Sequence, residues 1–500
     1  PDDSAAGIDG NSQVGGAIGL LTRTSVKTVS EAKVRIGVNV TASDADCGGA
    51  IGKVTDCTVD LSFFDMTSTT MQVTGDKNTG GMVGYAKHAT IVGSNPFDYA
   101  MKDGKAVIPD KDSFIPIYKG IVKGKSETGG ILGYGENVTL RALTSGCTVE
   151  VVNGENIGGL IGKIKTSGTD NSLEDLVSKS MVKAASGCRN VGGIVGCVDC
   201  DDYLFTTDCI NFGEVEGGEI TGGIIGWYDK YLYAYDQPFK CPDIVWCFNA
   251  GEVTGATCVG GLLGKCTVSS SNYYHYQTNL NIYKCGNNGN VSSHSSGSSA
   301  SGVAGILGYG DAYIEIHKCS NHATITSSEN HKGVAGIAGS LGIDPIGVSS
   351  DCQNAYLHNC INTGTIDSKN ASSHVGGVLG FMEEGPDSHL YDCLNTGKVL
   401  NKHNSDNGGI LGYVDHLGKV YRHVNLGHVD NGNAIIGTHK SGSSFSHEDL
   451  YFLDGTGKNW PSAKGVSSAD IGKKESFPGL NFSGVWDISE SGPTLRDCPF

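Results

Sequence analysis

Cysteine offers the widest chemistry in this sequence, which has 17 cysteines among its 500 residues. Thiols form disulfides, bind metals and act as nucleophiles, and an odd count leaves at least one of them unpaired. Only Cys197 and Cys200 have C-x-x-C spacing, which is weak support for a metal or redox site without a second pair. Six others recur every 33 to 41 residues, and we expect them to be reduced, buried and stacked in a column. These six are Cys209, Cys247, Cys285, Cys319, Cys360 and Cys393.

Histidines and carboxylates give no recognisable catalytic motif. His447-Glu448 lacks the second histidine of H-E-x-x-H, and no other histidines have zinc spacing on a plausible helix, so we expect no metal and no cofactor. Glycoside hydrolysis uses a pair of carboxylates, for which the acidic run Asp199, Asp201 and Asp202 beside Tyr203 is the best candidate. A solvated turn is the alternative, and the sequence places no second acid opposite this run.

Tyrosines in two long insertions are the best candidates for a binding surface. Aromatic side chains on loops suit contact with sugars or with a protein partner. The alternative is that these rings pack onto the neighbouring part of the fold. The insertions cover residues 227–246 and 271–283, with further insertions at 85–128 and 340–355. The candidate residues are Tyr228, Tyr231, Tyr233, Tyr235, Tyr273, Tyr274 and Tyr276.

A repeated glycine motif predicts the elements that position these residues. The pattern Gly-Gly-aliphatic-aliphatic-Gly, with Ala or Asn replacing the first glycine in three copies, recurs in units of about thirty residues plus insertions. A unit of this size cannot bury its own apolar side chains, whereas stacked units form one continuous core. The final glycines of the copies are Gly19, Gly52, Gly84, Gly133, Gly162, Gly196, Gly226, Gly264, Gly308, Gly339, Gly380, Gly412 and Gly437.

A second motif, Cys-x-Asn-x-Gly, alternates with the first in the later half, with His423 in the cysteine place of the last copy. Equivalent residues of stacked units lie above one another, so the asparagines should form an amide ladder at a turn. An aliphatic residue three positions before the cysteine predicts a bend between them, because both would otherwise face opposite sides of a strand. The ladder asparagines are Asn211, Asn249, Asn287, Asn321, Asn362, Asn395 and Asn425.

The predicted fold class is all-β. Short β-branched segments separated by glycine and asparagine turns indicate strands, and no apolar 3.6-residue period persists. We predict a right-handed parallel β-helix, a β-solenoid of about thirteen rungs, over residues 1–440 and a C-terminal capping segment over residues 441–500. Phe482, Val485, Trp486 and Leu495 should cover the open edge of the last turn.

Charge and composition exclude several classes of protein. A net charge of -17 without a basic block argues against nucleic acid as a partner. The aliphatic stretches are far shorter than the ~20 residues of a membrane-spanning helix. The first ten residues lack the basic start and apolar middle of a signal peptide, so we expect any export signal or anchor to lie outside this chain.

The repeats resemble the GLUG repeat of bacterial surface proteins and of the stalks of IgA-cleaving metallopeptidases. The resemblance is carried by GGILGY at 129–134 and 408–413, GGIVG at 192–196, GGVLGF at 376–381 and the Cys-x-Asn-x-Gly units. FSGVWDISESGPTLR at 482–496 is similar to a segment that often follows such repeats. The resemblance covers about residues 10 to 440, although Cys-x-Asn-x-Gly is missing before residue 190. It implies a right-handed parallel β-helix on an exported bacterial protein.

Three function classes remain: a surface binding protein, a structural stalk and a polysaccharide-degrading enzyme. A bare stalk would have uniformly short loops, which the tyrosine-rich insertions contradict, and an enzyme requires two facing catalytic groups. We therefore expect a non-enzymatic, adhesin-like protein at the bacterial cell surface, not itself membrane-spanning and monomeric. Its loops would bind a glycan or a host or bacterial surface protein.

Overall fold

The computed structural model describes most of the chain, in two compact units. The first unit comprises Pro1–Tyr99, Ile108–Tyr233 and Cys247–Val253, and the second comprises Ala100–Val107, Ala234–Trp246 and Thr254–Phe500. No helix among the described residues has the length and apolar character needed to cross a bilayer. The described residues are 7–26, 33–102, 104–167, 171–201, 203–232, 243–270, 280–294, 301–311, 314–328, 330–342, 355–369, 374–383, 388–402, 406–415, 418–441, 445–498 and 500.

The first unit consists of short strands and two 3-10 turns, Leu61–Phe63 and Lys111–Ser113. Its strands are Gly7–Gly15, Ile18–Thr22, Ser25–Val26, Val34–Arg35, Asn39–Gly48, Ile51–Thr55, Thr58–Asp60, Phe64–Asp65, Gln72–Thr74, Lys77–Gly80, Val83–Val92, Ile121–Lys123, Ser126–Gly129, Leu132–Arg141, Thr144–Ser145, Thr148–Val151, Glu155–Gly158, Ile161–Thr166, Ser172–Glu174, Val177–Ser178, Met181–Ala184, Arg189–Gly192, Val195–Cys200, Phe205–Thr207, Ile210–Asn211, Val215–Glu216, Ile220–Gly222, Ile225–Leu232 and Phe248–Asn249.

The second unit is built in the same way, with one 3-10 turn at Lys474–Ser476. Its strands are Ala100–Lys102, Lys105–Val107, Ile244–Val245, Val253–Gly255, Cys258–Gly260, Leu263–Ser270, Leu280–Tyr283, Gly286–Asn287, Val291–Ser293, Gly302–Ala304, Leu307–Asp311, Ile314–His317, Ser320–Asn321, Ile325–Ser327, Gly333–Ala335, Ala338–Leu341, Ala355–His358, Ile361–Asn362, Ile366–Ser368, His374–Gly376, Leu379–Met382, His389–Tyr391, Leu394–Asn395, Val399–Leu400, Asn407–Gly408, Leu411–Val414, Lys419–Asn425, Ile436–His439, Ser446–Leu453, Lys464–Val466, Trp486–Ser489 and Gly492–Leu495.

Strands that follow the glycine motif stack in parallel and in register in both units. In the first unit Leu132 pairs with Ile161, Ile161 with Val195 and Val195 with Ile225. Each of these four side chains has 0% exposure, so the register places one aliphatic side chain per turn in the core. Among the described pairings only two hairpins are antiparallel, one within residues 100–107 and one within 486–495. The predicted all-β fold with a parallel β-helix is confirmed.

The predicted bend before the cysteine is present. Asn359 has φ 54° and lies between Leu357 and Cys360, which are 1% and 0% exposed. Asp208, Trp246, Lys284, Lys318 and Asp392 occupy the same place with φ between 51° and 55°. One residue in the left-handed region turns the chain, so that side chains three positions apart both face the core.

The two sequence motifs meet inside each turn. A Cβ added at Gly377, the second glycine of its motif, would lie 2.4 Å from Cγ of Asn395 and 2.1 Å from the carbonyl oxygen of Gly409. The same approach joins Gly336 to Asn362 and Gly409 to Asn425. Glycine is therefore required where the amide ladder packs against the backbone.

The C-terminal segment was predicted to cover the last turn of the β-helix. It packs along the side of the second unit and contacts several earlier turns as well. Trp486 and Leu495 are buried in a cluster with Leu394, Val424 and Tyr451, which belong to three successive turns, and Phe482 and Val485 pack at its edge. Farther along the segment, the Cys498 thiol donates to the carbonyl oxygen of Cys319 at 3.4 Å. The segment therefore packs against the corner of the β-helix that precedes the cysteines.

Candidate functional site

Five aromatic side chains line up on the outside of the second unit. They belong to the strands that precede the cysteine positions, where alternation sends residues such as Ile316 and Leu357 inward and their neighbours outward. The in-register pairing of these strands stacks the outward residues at one place per turn. We call this row the aromatic strip, and it comprises Tyr283, His317, His358, Tyr391 and Tyr421.

The rings of the aromatic strip are stacked face to face. From Tyr283 to Tyr421 the successive centroid distances are 4.4, 4.9, 4.4 and 5.1 Å, with interplanar angles of 21°, 26°, 7° and 10°. Because the interior rings turn their faces to their neighbours, a ligand meets mainly their distal edges. The tyrosine edges carry phenol hydroxyls, which can donate and accept hydrogen bonds, so the strip is suited to hydrogen bonding at its tyrosines.

A polar row two residues earlier supports the strip. The Asn281 Nδ2 donates to Glu315 Oε2 at 3.2 Å, and Asn281 Oδ1 lies 3.1 Å from His317 Nε2. Glu315 Oε1 lies 3.1 Å from His358 Nε2. His389, in the same row, stacks on Tyr356 with a centroid distance of 5.4 Å. The imidazoles are therefore fixed by hydrogen bonds as well as by stacking.

Cationic side chains border the strip on its other side, at the left-handed corner. The Lys284 ammonium lies 5.0 Å from the Tyr283 ring centroid, and the Arg422 guanidinium lies 4.5 Å from that of Tyr421. Both distances are within the range of cation–π attraction. Arg422 is also paired with the Asp392 carboxylate, so a ligand on the strip would meet positive charge mainly at Lys284.

The charges within the strip follow from burial and hydrogen bonding. Burial, followed by the charge of His358, lowers the pKa of His317 to about 4, so this imidazole is neutral at pH 7. Burial opposes protonation of His358 as well, but hydrogen bonds to Glu315 and Asn359 raise its pKa overall. The hydrogen bond from His358 lowers the pKa of Glu315. The contact between Glu315 and His358 therefore favours the charged form of each group, beside a neutral His317 imidazole.

The predicted tyrosine site lies mostly outside the described residues, as Tyr233, Tyr235, Tyr273, Tyr274 and Tyr276 do. Tyr231 is half-buried, whereas Tyr228 has 0% exposure. The Tyr228 ring lies in the core of the first unit and cannot face a ligand, so the packing alternative describes this residue.

The sequence contained an unused signal for the aromatic strip. A tyrosine or histidine stands two residues before the cysteine, or before His423, in five consecutive copies of the second motif. Five aromatic residues at one position of a stacked repeat must form a row. The predicted binding residues were the tyrosines of the insertions, and this row was not among them.

The cysteine column and the amide ladder lie inside the β-helix. All six column cysteines are 0% exposed, Cys209 and Cys247 in the first unit and the other four in the second. In the first unit Asn211 Nδ2 donates to Asn249 Oδ1 at 2.9 Å. In the second unit the side chains of Asn287, Asn321, Asn362, Asn395 and Asn425 are joined by four successive hydrogen bonds of 2.8 Å. Both features are structural, because neither is accessible to a ligand.

Asp199, from the acidic run that was the best candidate for glycoside hydrolysis, and His447, from the incomplete zinc motif, both form contacts within the protein. Asp199 pairs with Lys163 at 2.9 Å, and Asp202 lies outside the described residues. The imidazole of His447 is hydrogen bonded to the Ser462 hydroxyl. Asp199 is thus held in an ion pair between two neighbouring strands, and the His447 imidazole is held by a serine hydroxyl.

Comparison with known proteins gives a similarity to a solved structure. No protein-family model and no curated protein sequence matches this chain. Among solved structures, the chain is similar to a family 28 exopolygalacturonase of Yersinia enterocolitica, with a TM-score of 0.27 and 9% identity. The match covers 82% of this chain and 74% of that one.

Proposed function

We propose that this protein is a non-catalytic, adhesin-like binding protein of the bacterial cell surface and that the aromatic strip is its binding surface for a glycan. The observation that carries the proposal is the row of five stacked rings, Tyr283 to Tyr421, on the outside of the second unit. Tyr391 and Tyr421 present phenol hydroxyls on adjacent turns, which are about 4.8 Å apart, and Tyr283 presents another hydroxyl three turns before Tyr391. A polymer with regularly spaced hydroxyl groups is the ligand class that matches such a row.

The border of the strip refines the ligand class. Lys284, Lys318 and Arg422 lie within 6 Å of strip rings. Lys318 is paired with Asp497, Arg422 with Asp392 and Glu315 with His358. A ligand with carboxylate or sulfate groups would therefore find favourable charge complementarity mainly at Lys284. An acidic polysaccharide combines this charge with repeating hydroxyls, so we place it ahead of a neutral glycan and ahead of a protein partner.

The location at the cell surface belongs to the same proposal. It is supported by the resemblance of GGILGY at 408–413 and its companions to the GLUG repeat of bacterial surface proteins. Reduced cysteines are compatible with an oxidising exterior because the fifteen cysteines in the described part of the chain are all buried.

A glycan array of acidic and neutral polysaccharides, probed with the full chain, tests the proposed function. The variant Tyr391→Ala/Tyr421→Ala should lose binding to the acidic glycans that the wild type retains. The matched control is Tyr85→Ala/Tyr134→Ala, which removes a pair of half-buried neighbouring tyrosines, 5.4 Å apart, from the first unit. This control should bind like the wild type, with both variants checked by thermal unfolding.

Three outcomes would contradict the proposal. The first is equal loss of binding in the strip variant and in the control. The second is binding to a protein partner but to no glycan. The third is the release of new reducing ends from a bound polysaccharide, which would show glycoside hydrolysis and favour the enzyme alternative.

A further inference from the structure

Glu315, His317 and His358 form a compact cluster of metal-ligating groups within the aromatic strip. One nitrogen of each imidazole and one carboxylate oxygen all lie within 4.8 Å of one another. Among the described residues, no other group of three or more metal-ligating side chains has ligand atoms that converge in this way. It occupies two adjacent turns and is half-buried, so an ion could enter from solvent.

One pair of donor atoms already has the spacing of a zinc shell. Ligand atoms about 2.0 to 2.1 Å from a tetrahedral ion are roughly 3.3 Å apart. The His358 Nε2 to Glu315 Oε1 distance is already 3.1 Å. The centroids of the two imidazoles are 4.9 Å apart with an interplanar angle of 26°, so binding of one ion by both requires the rings to rotate out of their stack.

Hydrogen bonds behind the three residues are those of an outer ligand shell. His358 Nδ1 lies 2.9 Å from Asn359 Oδ1, and Asn281 contacts both His317 Nε2 and Glu315 Oε2. Such partners orient ligating imidazoles and carboxylates and fix the imidazole tautomer. With Nδ1–H directed at Asn359, a neutral His358 would point the Nε2 lone pair at a carboxylate. A cation between the two groups, either a proton or a metal ion, removes this repulsion.

We propose that Glu315, His317 and His358 bind a divalent transition metal ion, for which Zn²⁺ is the expected occupant. Two imidazoles and one carboxylate suit Zn²⁺, whereas Mg²⁺ and Ca²⁺ prefer shells of oxygen ligands. This site does not depend on the glycan proposal, because metal binding is measured without any glycan.

Isothermal titration of the EDTA-treated full chain with Zn²⁺ and, separately, Mg²⁺ tests the site. The wild type should bind one Zn²⁺ at this site with a micromolar or tighter Kd and should show no Mg²⁺ binding there. His358→Gln and Glu315→Gln keep the size of the side chains and should each weaken Zn²⁺ binding at least tenfold. The matched control is His389→Gln, a half-buried histidine that also stacks on a neighbouring ring and should keep the wild-type affinity.

Co²⁺ provides a readout that does not require any variant to fold. The wild type should show the visible absorption bands of tetrahedral Co²⁺, which added Zn²⁺ removes, and saturating Zn²⁺ should raise its melting temperature. Absence of these bands in the wild type would overturn the proposal. Unchanged Zn²⁺ affinity in the His358→Gln and Glu315→Gln variants, or equal weakening in His389→Gln, would also overturn it.

Discussion

The indole Nε1 of Trp486 donates a hydrogen bond of 2.8 Å to Oδ1 of Asp392, across 94 residues of sequence. The Asp392 side chain is 2% exposed and also accepts hydrogen bonds from Arg422 Nε at 2.8 Å and Nη2 at 2.5 Å. This buried carboxylate therefore joins the C-terminal segment to two turns of the β-helix.

Replacing Arg422 by Ala should destabilise the second unit strongly. The Asp392 carboxylate would stay buried and would keep the Trp486 indole but lose the Arg422 guanidinium as a hydrogen-bond donor. This loss should cost about 3 kcal/mol in the free energy of unfolding. Urea unfolding followed by circular dichroism measures this loss. The control Lys473→Ala removes an exposed ion pair to Asp470 and should leave the unfolding midpoint unchanged. Equal midpoints for the two variants would contradict a central role for Asp392.

Replacing Gly377 by Ala should destabilise the protein because the new Cβ would collide with Asn395 and with the backbone of Gly409. The expected loss is about 3 kcal/mol, since backbone and a ladder amide cannot move aside without breaking other hydrogen bonds. Ala434 occupies the equivalent place in the last copy of the motif, where Asn425 pairs with Phe452 and the amide ladder has ended.

The control for this prediction is Gly37→Ala, because a Cβ at Gly37 would meet no atom within 4 Å. Thermal unfolding of both variants should show a lower melting temperature for Gly377→Ala alone. A Gly377→Ala protein as stable as Gly37→Ala would show that the ladder does not require this glycine.

Native cysteines should resist labelling by thiol reagents. The six column cysteines are 0% exposed, so a reagent cannot reach their thiols in the folded protein. Burial also raises the pKa of Cys319 and Cys393, which lowers the fraction of reactive thiolate at these two residues. Labelling followed by peptide mass spectrometry should detect these six only after unfolding in urea. Rapid labelling of any of them in the native protein would contradict the buried column. The test excludes Cys241 and Cys352, which lie outside the described residues.

Acid should destabilise the second unit through His423, and His423→Cys should reduce this effect. His423 is 0% exposed, its Nδ1 accepts a hydrogen bond from the Cys393 N–H, and its Nε2 donates to the Leu390 carbonyl oxygen. Burial lowers its pKa from 6.5 to about 4. Because the folded pKa lies below the unfolded one, the stability that neutral His423 contributes is present above pH 6.5 and is lost as the pH falls toward 4.

The loss is on the order of 3 kcal/mol, since each pKa unit corresponds to about 1.4 kcal/mol. His317, with its pKa also lowered to about 4, contributes in the same direction in both proteins. Urea unfolding at several pH values between 4 and 7 should therefore give a shallower pH dependence for His423→Cys. Identical slopes for the two proteins would rule out His423 as a source of acid sensitivity.

The sequence predicted the fold well because a stacked repeat converts local patterns into tertiary contacts. The recurrence of Gly377 and Asn395 at fixed spacing was sufficient for the turn and the ladder. Tyr228 could have been placed inside by the same reasoning, since it follows the in-out alternation of the strand Ile225–Leu232. Its position in a tyrosine-rich segment suggested a surface role instead.

Other features could not be predicted from local patterns. The contact of Cys498 with Cys319 spans 179 residues, and nothing in the periodicity of either segment indicates it. The Glu315 and His358 pair depends on which outward residues the register brings together, 43 residues apart. Such pairs follow from the lengths of the intervening insertions, which the repeat pattern does not determine.

The central claim is that the ring edges of the aromatic strip bind a glycan by hydrogen bonds. Tyr391→Phe/Tyr421→Phe tests it most directly, because phenylalanine keeps the stacking and removes only the hydroxyls. Each lost hydrogen bond should cost about 1 kcal/mol, so the affinity for the best glycan on the array should fall roughly tenfold or more, with an unchanged melting temperature. Wild-type affinity in this double variant, measured by isothermal titration, would contradict the claim.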